Sequence, residues 1–250
     1  MRFEPTALRT LALVLGAAVL ATVPLMFLGG DKAVADLLYS AQGNSWRARD
    51  AWLTSTVVHK WGKSFSIACW LALALAWAMT WSGLLARRWL RPLSYVLVTT
   101  VLSALLVALL KGQTGMDCPW DLIRYGGDRL DIGLLTTRPG SMPRAACFPA
   151  GHASAGYGWV ALYFALAATA PRWRLWGLGF GLLMGMTFGL SQQLRGAHFL
   201  SHDLWTLVIS WTVASISARL WLQVASKPNA ADSTRSVNRT TKPLLLDKTP

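Results

Sequence analysis

Charge is scarce in this chain. Only 14% of its 250 residues are Asp, Glu, Lys or Arg, whereas 54% are hydrophobic. A soluble domain of this size carries far more charge. The sequence also lacks the alternation of apolar and polar residues that marks the strands of a membrane barrel, and no internal repeat stands out. These absences exclude a soluble globular domain and a membrane β-barrel.

The chain contains long runs of apolar residues. Six of them have about the 17 to 25 residues that a helix needs to cross the hydrocarbon core of a membrane. The backbone of such a run must form its hydrogen bonds internally, so the runs predict an all-α, multi-pass membrane protein with six transmembrane helices. The six runs are Thr10–Leu28, Ser64–Leu85, Leu93–Leu110, Ala153–Ala170, Leu175–Leu194 and Leu204–Val224.

Three further segments allow structural predictions. Ala33–Trp61 is expected either to lie on the membrane as an amphipathic helix or to form a soluble loop. The glycine-rich stretch "GLGFGLLMGMTFG" of the fifth run predicts close packing between helices. The mixed-charge stretch Asp117–Asp131 is interpreted as a solvated loop face with internal ion pairs.

The basic residues predict the orientation of the chain. The two short connectors after the second and fourth runs contain no acid and carry five arginines, which are Arg87, Arg88, Arg91, Arg172 and Arg174. Basic short loops stay in the cytoplasm, so both termini are expected there and the first run is expected to remain uncleaved. Residues 1–225 would form the membrane domain of a cytoplasmic (inner) membrane protein, and residues 226–250 a basic, disordered cytoplasmic tail. The net charge of +13 is interpreted as orientation and contact with anionic lipids, not as nucleic-acid binding.

Three polar clusters lie at run ends that this orientation places on the outer side, namely Lys111–Asp121, Cys147–Tyr157 and Leu194–Asp203. Lysine and arginine suit the oxygens of a phosphate, and backbone N–H groups at a helix start can face an anion. Histidine can act as a nucleophile and as a general acid. These residue types fit phosphoryl transfer without a metal or another cofactor.

The three clusters resemble the motifs of the type 2 phosphatidic acid phosphatase superfamily, which joins lipid phosphatases and vanadium haloperoxidases, in its membrane-bound bacterial form. The pattern of that family is Lys, six residues, Arg-Pro; then Pro-Ser-Gly-His; then Ser-Arg, five residues, His, three residues, Asp. In this chain Lys111 is followed after six residues by Cys118 and Pro119, and "PAGH" is Pro149–His152. The third motif aligns best on "GAHF", at His198, and the resemblance covers about residues 93–220.

The resemblance implies a role for each candidate residue. His198 would attack phosphorus and form a phosphohistidine, His152 would protonate the leaving oxygen, and Asp203 or His202 would orient His198. The residues expected to bind the phosphate are Lys111, Arg195, Gly151, Ser154 and, as a guess at compensation for a missing arginine, Arg124.

The chain departs from the family pattern at several positions. Cys118 and Gln192 stand where the family has arginine, and Ala150 stands where it has serine. The family aspartate falls at His202, with Asp203 next to it. In an alternative alignment His202 is the nucleophile, Arg195 lies seven residues ahead of it and Thr206 takes the position of the aspartate.

Other interpretations of the same residues stay open. His198 and His202, with His152 or Asp203, are spaced for a metal site, although neighbouring cations would repel a dication. Lys111 and Arg195 taken singly are typical of basic residues that reach to the membrane surface. Cys118 and Cys147 lie in one outer loop and would pair as a disulfide in an oxidising compartment, whereas the alternative is two unpaired thiols.

The expected function is hydrolysis of a membrane lipid phosphate or lipid pyrophosphate at the outer face of the membrane. One alternative is a phosphotransferase that moves phosphate from undecaprenyl pyrophosphate to a lipid A-like acceptor. Two more are a metal-dependent membrane hydrolase and, outside enzymes, a transporter or lipid-binding protein with a degraded site. The sequence does not fix the oligomeric state.

Overall fold

The computed structural model describes residues 5–222, and the side chains from residue 12 onward. This part of the chain is helical and has no strand; Leu122 and Arg129 form one isolated β-bridge. The all-α prediction is confirmed. The helices are α1 (Pro5–Thr22), α2 (Gly30–Ala41), α3 (Gly62–Trp81), α4 (Leu90–Lys111), α5 (Gly151–Tyr157), α6 (Ala161–Thr169), α7 (Arg174–Leu194) and α8 (Leu200–Leu222).

Short irregular helices extend six of these elements, including 3₁₀ turns directly before α4 and α7. A π-helix, Val23–Phe27, continues α1, and a second one, Leu53–Trp61, leads directly into α3. A 3₁₀ turn, Gly158–Val160, joins α5 to α6. Ala33–Trp61 is therefore neither one amphipathic helix nor a plain loop, because it divides into α2, a connector and the π-helix before α3. The predicted tail lies outside the described residues.

The predicted count of six transmembrane helices is not confirmed. Within residues 5–222, two helical stretches are long and apolar enough to span a membrane, Arg47–Trp81 and Arg87–Lys111. A third span results if Ala12–Phe27 and Gly30–Ala41, which meet at an angle of 61°, are counted together. These two or three spans are consistent with a membrane protein.

Helices α7 and α8 are long enough to cross a membrane but are less apolar, because they carry polar residues and glycines. Many of the polar residues are buried within the described part of the protein, including Gln192, Gln193, Thr206, Ser210 and Ser215. The helices therefore bury these polar groups inside the bundle, so their lower hydropathy does not mean that polar groups are exposed to lipid. The large apolar residues that remain exposed include Leu71, Leu75, Leu105 and Leu183.

The centre of the bundle is formed by α4 to α8. Its largest apolar cluster combines Tyr95 and Val96 of α4 with Trp159, Phe164, Phe188 and Ala214 of the later helices. The Tyr95 hydroxyl is fully buried and donates to the Ala214 carbonyl at 2.8 Å, which ties α4 to α8. Helix α3 packs against α4, and α1 packs against α8 at the edge of this bundle.

Glycines on α7 allow the α5–α6 segment to approach closely. A Cβ atom on Gly181 would lie 2.5 Å from the Val160 nitrogen, and one on Gly185 would lie 2.0 Å from the Tyr157 ring. Helix α8 also comes close to α7, because a Cβ on Gly189 would lie 2.7 Å from Cγ of Asp203. The prediction of close helix packing by the glycine-rich stretch is confirmed.

Substituting Gly185 with alanine is expected to destabilise the bundle. The added methyl group would overlap the Tyr157 ring, and overpacking of this kind costs about 1 to 3 kcal/mol. Thermal unfolding of the detergent-solubilised protein measures the effect. Gly179→Ala is the matched control, since it lies on the same helix with open space around it and is expected to leave the melting temperature unchanged or raise it. Equal melting temperatures for the two variants would contradict the packing.

Candidate active site

All four histidines of the chain lie together at one end of the bundle. His198 and His202 contact each other, with 3.4 Å between their Nδ1 atoms. His152 acts electrostatically on His198, and its ring lies 4.3 Å from that of His59, centroid to centroid. The Nε2 atoms of His152 and His202 are buried without a hydrogen-bond partner among the described residues. Such a gathering of imidazoles is the main chemical feature of this protein.

The structure answers which neighbour contacts His198. Helix α8 begins at Leu200, and the imidazole of His202 faces His198. The carboxylate of the adjacent Asp203 turns instead toward α7, where it accepts a hydrogen bond from Gln193 and lies beside Gly189. The backbone does not bulge to bring Asp203 to His198, so His202 is the one of the two candidate partners that contacts it.

A buried aspartate from the N-terminal part of the chain holds the start of α8. Asp31 accepts hydrogen bonds from the backbone N–H and the hydroxyl of Ser201, the residue directly before His202. The carboxylate therefore satisfies a free N–H group in the first turn of the helix, where negative charge is favourable. Asp31 is 6% exposed, and sequence reasoning did not identify it as part of the site.

Burial leaves His198 uncharged at neutral pH. His198 lies in the connector between α7 and α8, where burial, followed by the nearby His202 and Lys111, lowers its pKa well below the usual value. The cost of burying a charge without a carboxylate partner is the physical reason. A neutral imidazole keeps the lone pair that a nucleophile needs.

Cationic side chains surround the histidines, and within residues 12–222 no carboxylate pairs with any of them. The ammonium of Lys111, at the end of α4, lies beside Gly151, because a Cβ there would be 3.4 Å from Nζ. The charges that act on His152 come from His59, Lys63 and Arg195. A site with this excess of positive charge is suited to an anion, and its cationic side chains can bind the several oxygens of a phosphate.

Two hydrogen bonds hold the guanidinium of Arg195 at the site. Its Nε donates to the carbonyl of Arg49 at 2.9 Å, and its Nη1 donates to Oε1 of Gln192 at 3.4 Å. The side chain is half-buried beside His59 and His152. It is therefore one of the sequence-predicted phosphate ligands that the fold brings to the histidines, together with Lys111 and Gly151.

Two of the other sequence-predicted phosphate ligands lie elsewhere. Arg124 forms a two-pronged ion pair with the carboxylate of Asp36 on α2, at 2.6 and 2.8 Å. Ser154 donates its hydroxyl to the carbonyl of Gly151 at 2.7 Å and lines an apolar cleft on the side of the bundle. The expectation that these two residues bind phosphate is not supported by their contacts.

A sequence profile identifies the family. The profile described as the PAP2 superfamily matches residues 92–225, which is more than half of the chain. The chain belongs to the PAP2 superfamily. Members of this superfamily are phosphatases, so the family indicates an enzyme that acts on phosphate esters. No curated protein and no solved structure matches the chain significantly.

The departures from the PAP2 pattern have structural counterparts in this protein. Cys118, at a position where the pattern has arginine, forms a disulfide with Cys147, and their Cα atoms are 5.3 Å apart. The predicted pairing is thereby confirmed. The cross-link joins the first and last parts of the loop between α4 and α5, and the Trp120 N–H donates to the carbonyl of Gly196 in the third motif. The disulfide replaces a phosphate ligand with a tie between the motif loops.

Ala150, in the serine position of the PAP2 pattern, is fully buried. Its N–H donates to the carbonyl of His202 at 3.2 Å, and its carbonyl accepts from the Thr206 hydroxyl at 3.1 Å. Ala150 therefore fixes the second motif against α8. This contact gives Thr206 a structural role, as a link between α8 and the PAGH loop.

Gln192 stands at the second arginine position of the PAP2 pattern and contacts a residue outside the matched range. Its Nε2 atom lies 2.8 Å from Nδ1 of His59, which belongs to the π-helix before α3. His59, like Asp31, is a site residue that sequence reasoning missed. A lone histidine in a weakly patterned segment carries no local signal, although the count of only four histidines in the chain could have drawn attention to it.

The long loop between α4 and α5 is fastened by ion pairs around Asp117. Its carboxylate accepts from Arg138 at 2.6 Å and from Arg129 at 2.8 Å, and it is 4% exposed. Burial alone would raise the pKa of Asp117, but the hydrogen bonds from Arg138 and Arg129 and their charges lower it. The predicted internal pairs are present, although this carboxylate is buried and not on a solvated face.

No group of three or more His, Cys, Asp or Glu side chains is arranged to hold a metal ion within residues 5–222. His198, His202 and His152 converge, but their surroundings are cationic. The metal-site interpretation of the paired histidines therefore finds no complete ligand set in the described part of the chain.

Proposed function

We propose that this PAP2 protein hydrolyses a lipid phosphate or lipid pyrophosphate at the outer face of the cytoplasmic membrane, through a phosphohistidine on His198. The observation that carries the proposal is the convergence of all four histidines with Lys111 and Arg195 at one end of the bundle. The neutral state of His198 and its contact with His202 support its role as the nucleophile.

The reaction would proceed in two displacements. Nε2 of His198 attacks phosphorus, the bond from phosphorus to the lipid oxygen breaks, and His152 gives its proton to that leaving oxygen. Water then attacks the phosphohistidine, His152 takes a proton from the water, and the bond from phosphorus to Nε2 breaks to release phosphate. Lys111 and the backbone N–H at Gly151 offset the negative charge in both steps.

An apolar cleft beside the site supports a lipid as the substrate. It has a volume of about 280 Å³ and lies between α3, α4 and α5, with a lining that includes Ile67, Val101, Ala104 and Ala155. Ile67 and Val101 are each 49% exposed, so the cleft opens to the side of the bundle, where hydrocarbon would lie. Ala155 is one helical turn beyond His152 on α5, which is the distance that a headgroup and the start of its chain would cover.

The distribution of arginine supports an outward-facing site. The histidines gather where α4 and α7 end and where α5 and α8 begin. The acid-free connectors Ala86–Trp89 and Pro171–Trp173 lie at the other ends of these helices. Since basic short loops remain in the cytoplasm, the histidine end would face outward.

Phosphate release from matched substrates tests this function. Purified protein is given phosphatidate, phosphatidylglycerol phosphate, undecaprenyl pyrophosphate and lipid A, with glycerol 3-phosphate as a chain-free comparison. We expect a far higher kcat/KM for at least one lipid than for glycerol 3-phosphate. Ala104→Phe, which fills the cleft, should raise KM for that lipid and leave the soluble ester unchanged. Equal rates with and without a chain would contradict a lipid substrate.

The same assay separates hydrolysis from phosphotransfer. Undecaprenyl pyrophosphate is supplied together with a lipid A-like acceptor, and the position of the phosphate is followed. Free phosphate in solution is the expected product. Phosphate that appears on the acceptor and not in solution would overturn simple hydrolysis.

Variants at His202 and Asp203 test which residue orients His198. His202→Ala is expected to lower kcat on the order of 100-fold, because His198 would lose its Nδ1 partner. His202→Asp places a carboxylate at that contact and is expected to keep kcat within about tenfold of wild type. Asp203→Asn should change kcat by less than about threefold, because its contacts are with Gln193 and α7. A larger loss for Asp203→Asn than for His202→Ala would reverse the assignment.

A further inference from the structure

Gln192 links one cation, Arg195, to a histidine, His59, at the edge of the site. The amide is 3% exposed, accepts a hydrogen bond from Nη1 of Arg195 and donates one from Nε2 to Nδ1 of His59. Arg195 is further held by the carbonyl of Arg49. The result is a chain of contacts from Arg195 through Gln192 to His59 that fixes the ring of His59.

This series of contacts determines which ring nitrogen of His59 is available to a ligand. Because Nδ1 accepts the amide hydrogen of Gln192, the proton of the neutral imidazole is on Nε2. The ring is tilted by 36° against that of His152 at a centroid distance of 4.3 Å, so His59 borders the residue expected to meet the leaving oxygen. The charged groups that act on His59 are Arg195, Lys63 and Lys60, all of them cations.

Gln192 stands at a position where the PAP2 pattern has a phosphate-binding residue. At the aligned position the PAP2 pattern has an arginine, whose guanidinium donates to phosphate oxygens. Gln192 carries no charge, and its amide contacts His59 and Arg195, so the positive charge of the pattern's arginine is missing at this position. The motif therefore lacks the guanidinium donors and the positive charge of that arginine. The imidazole of His59, whose donor nitrogen is fixed, lies directly beside this position.

We propose that His59 is a phosphate-binding residue that replaces the motif arginine, and that Gln192 is the positioning residue that aims it. The proposal rests on the proposed phosphatase function. It adds to the site a residue from the N-terminal third of the chain, outside the range 92–225 that the family profile covers. The occupant of the position next to Nε2 of His59 is one oxygen of the transferred phosphoryl group.

Binding of vanadate, a phosphate mimic, tests the assignment with a readout other than turnover. His59→Ala is expected to weaken vanadate inhibition about tenfold, which is the effect of one hydrogen bond to a charged group, and to raise KM by a similar factor with a smaller change in kcat. Ser55→Ala, at a half-buried position on the same π-helix where the side chain makes a long hydrogen bond to the Asp50 carbonyl, is the matched control and should match wild type.

A second substitution separates binding from folding. In the His59→Ala background, Gln192→Arg restores the arginine of the PAP2 pattern and should return vanadate affinity to within about threefold of wild type. In the wild-type background the same change sets a guanidinium against His59 and its cationic neighbours, and should weaken binding. A His59→Ala protein with unchanged vanadate affinity, or a loss that Gln192→Arg fails to restore, would overturn the proposal.

These outcomes are distinguishable from failure of the proposed function. If His198→Ala retains phosphate release, the phosphatase mechanism itself fails, whatever His59→Ala does. If His198→Ala abolishes release while His59→Ala binds vanadate as wild type does, only the role of His59 fails. Thermal unfolding of each variant, with and without vanadate, reports whether a lost effect arises from a damaged fold.

Discussion

His198→Ala is expected to abolish phosphate release, with a loss on the order of 10⁴-fold or more in kcat. The substitution removes the nitrogen that attacks phosphorus and leaves the cations and the cleft in place. Residual turnover would require water to attack the ester directly in a site that does not position it. Steady-state release of phosphate from the best lipid substrate measures the effect.

The control for this substitution is Thr187→Ala, on the exposed face of α7, which should retain wild-type activity and melting temperature. Vanadate should still stabilise the His198→Ala protein, although less strongly, because Lys111 and Gly151 remain beside the site. A His198→Ala protein that is folded and retains more than about a tenth of wild-type activity would show that another group attacks phosphorus.

His152→Gln is expected to produce a loss that depends on the leaving group. General acid catalysis contributes about 10² to 10⁴ in rate when the leaving oxygen must take up a proton. A lipid alkoxide needs this proton, whereas p-nitrophenolate leaves as the anion. We therefore expect at least about a 100-fold loss in the rate of the first step with a lipid phosphate and less than about tenfold with p-nitrophenyl phosphate.

The two substrates should be compared in a single turnover, because the second step also uses His152. His198→Ala is the reference, since loss of the nucleophile must affect both substrates equally. Equal losses for the two substrates in His152→Gln would contradict the acid role and favour a purely structural one. The Nε2 of His152 is buried without a partner among the described residues, and burial, followed by the nearby His59, lowers the pKa of His152 to about 4. The acid role therefore requires that the negative charge of the bound phosphate raise this pKa.

The sequence was sufficient for the parts of this fold that depend on local pattern. The fifth apolar run, predicted as Leu175–Leu194, corresponds to α7 at Arg174–Leu194. Lys111, Gly151 and His198 were identified because motif spacing places them at helix ends, and helix ends meet at one end of a bundle. The glycine spacing in α7 predicted close packing without any knowledge of the partner helix.

Contacts across long sequence distances were beyond sequence reasoning. His59 meets Gln192 over 133 residues, and Asp31 meets Ser201 over 170 residues. No periodicity or spacing relates these pairs, since the path of the segment between α1 and α3 determines them. Sequence reasoning also missed that Arg124 pairs with Asp36, because the exposed loop and α2 come together only in the folded chain.

The partner of His198 and the number of spans could not be decided from the sequence, for different physical reasons. His202 and Asp203 are adjacent in sequence, but successive side chains on a helix point about 100° apart, so only the start of α8 decides which one faces His198. The span count depended on hydropathy, which does not register that serine, threonine and glutamine on α7 and α8 are buried against other helices.

Trapping of the covalent intermediate tests the central claim most directly. His152→Gln protein is mixed with p-nitrophenyl phosphate, quenched in alkali, in which phosphohistidine is stable, and analysed by peptide fragmentation in a mass spectrometer. The mechanism predicts one phosphate per active molecule on His198, and none in the His198→Ala, His152→Gln double variant. Phosphate on His202, or continued phosphate release with no phosphorylated peptide, would contradict it.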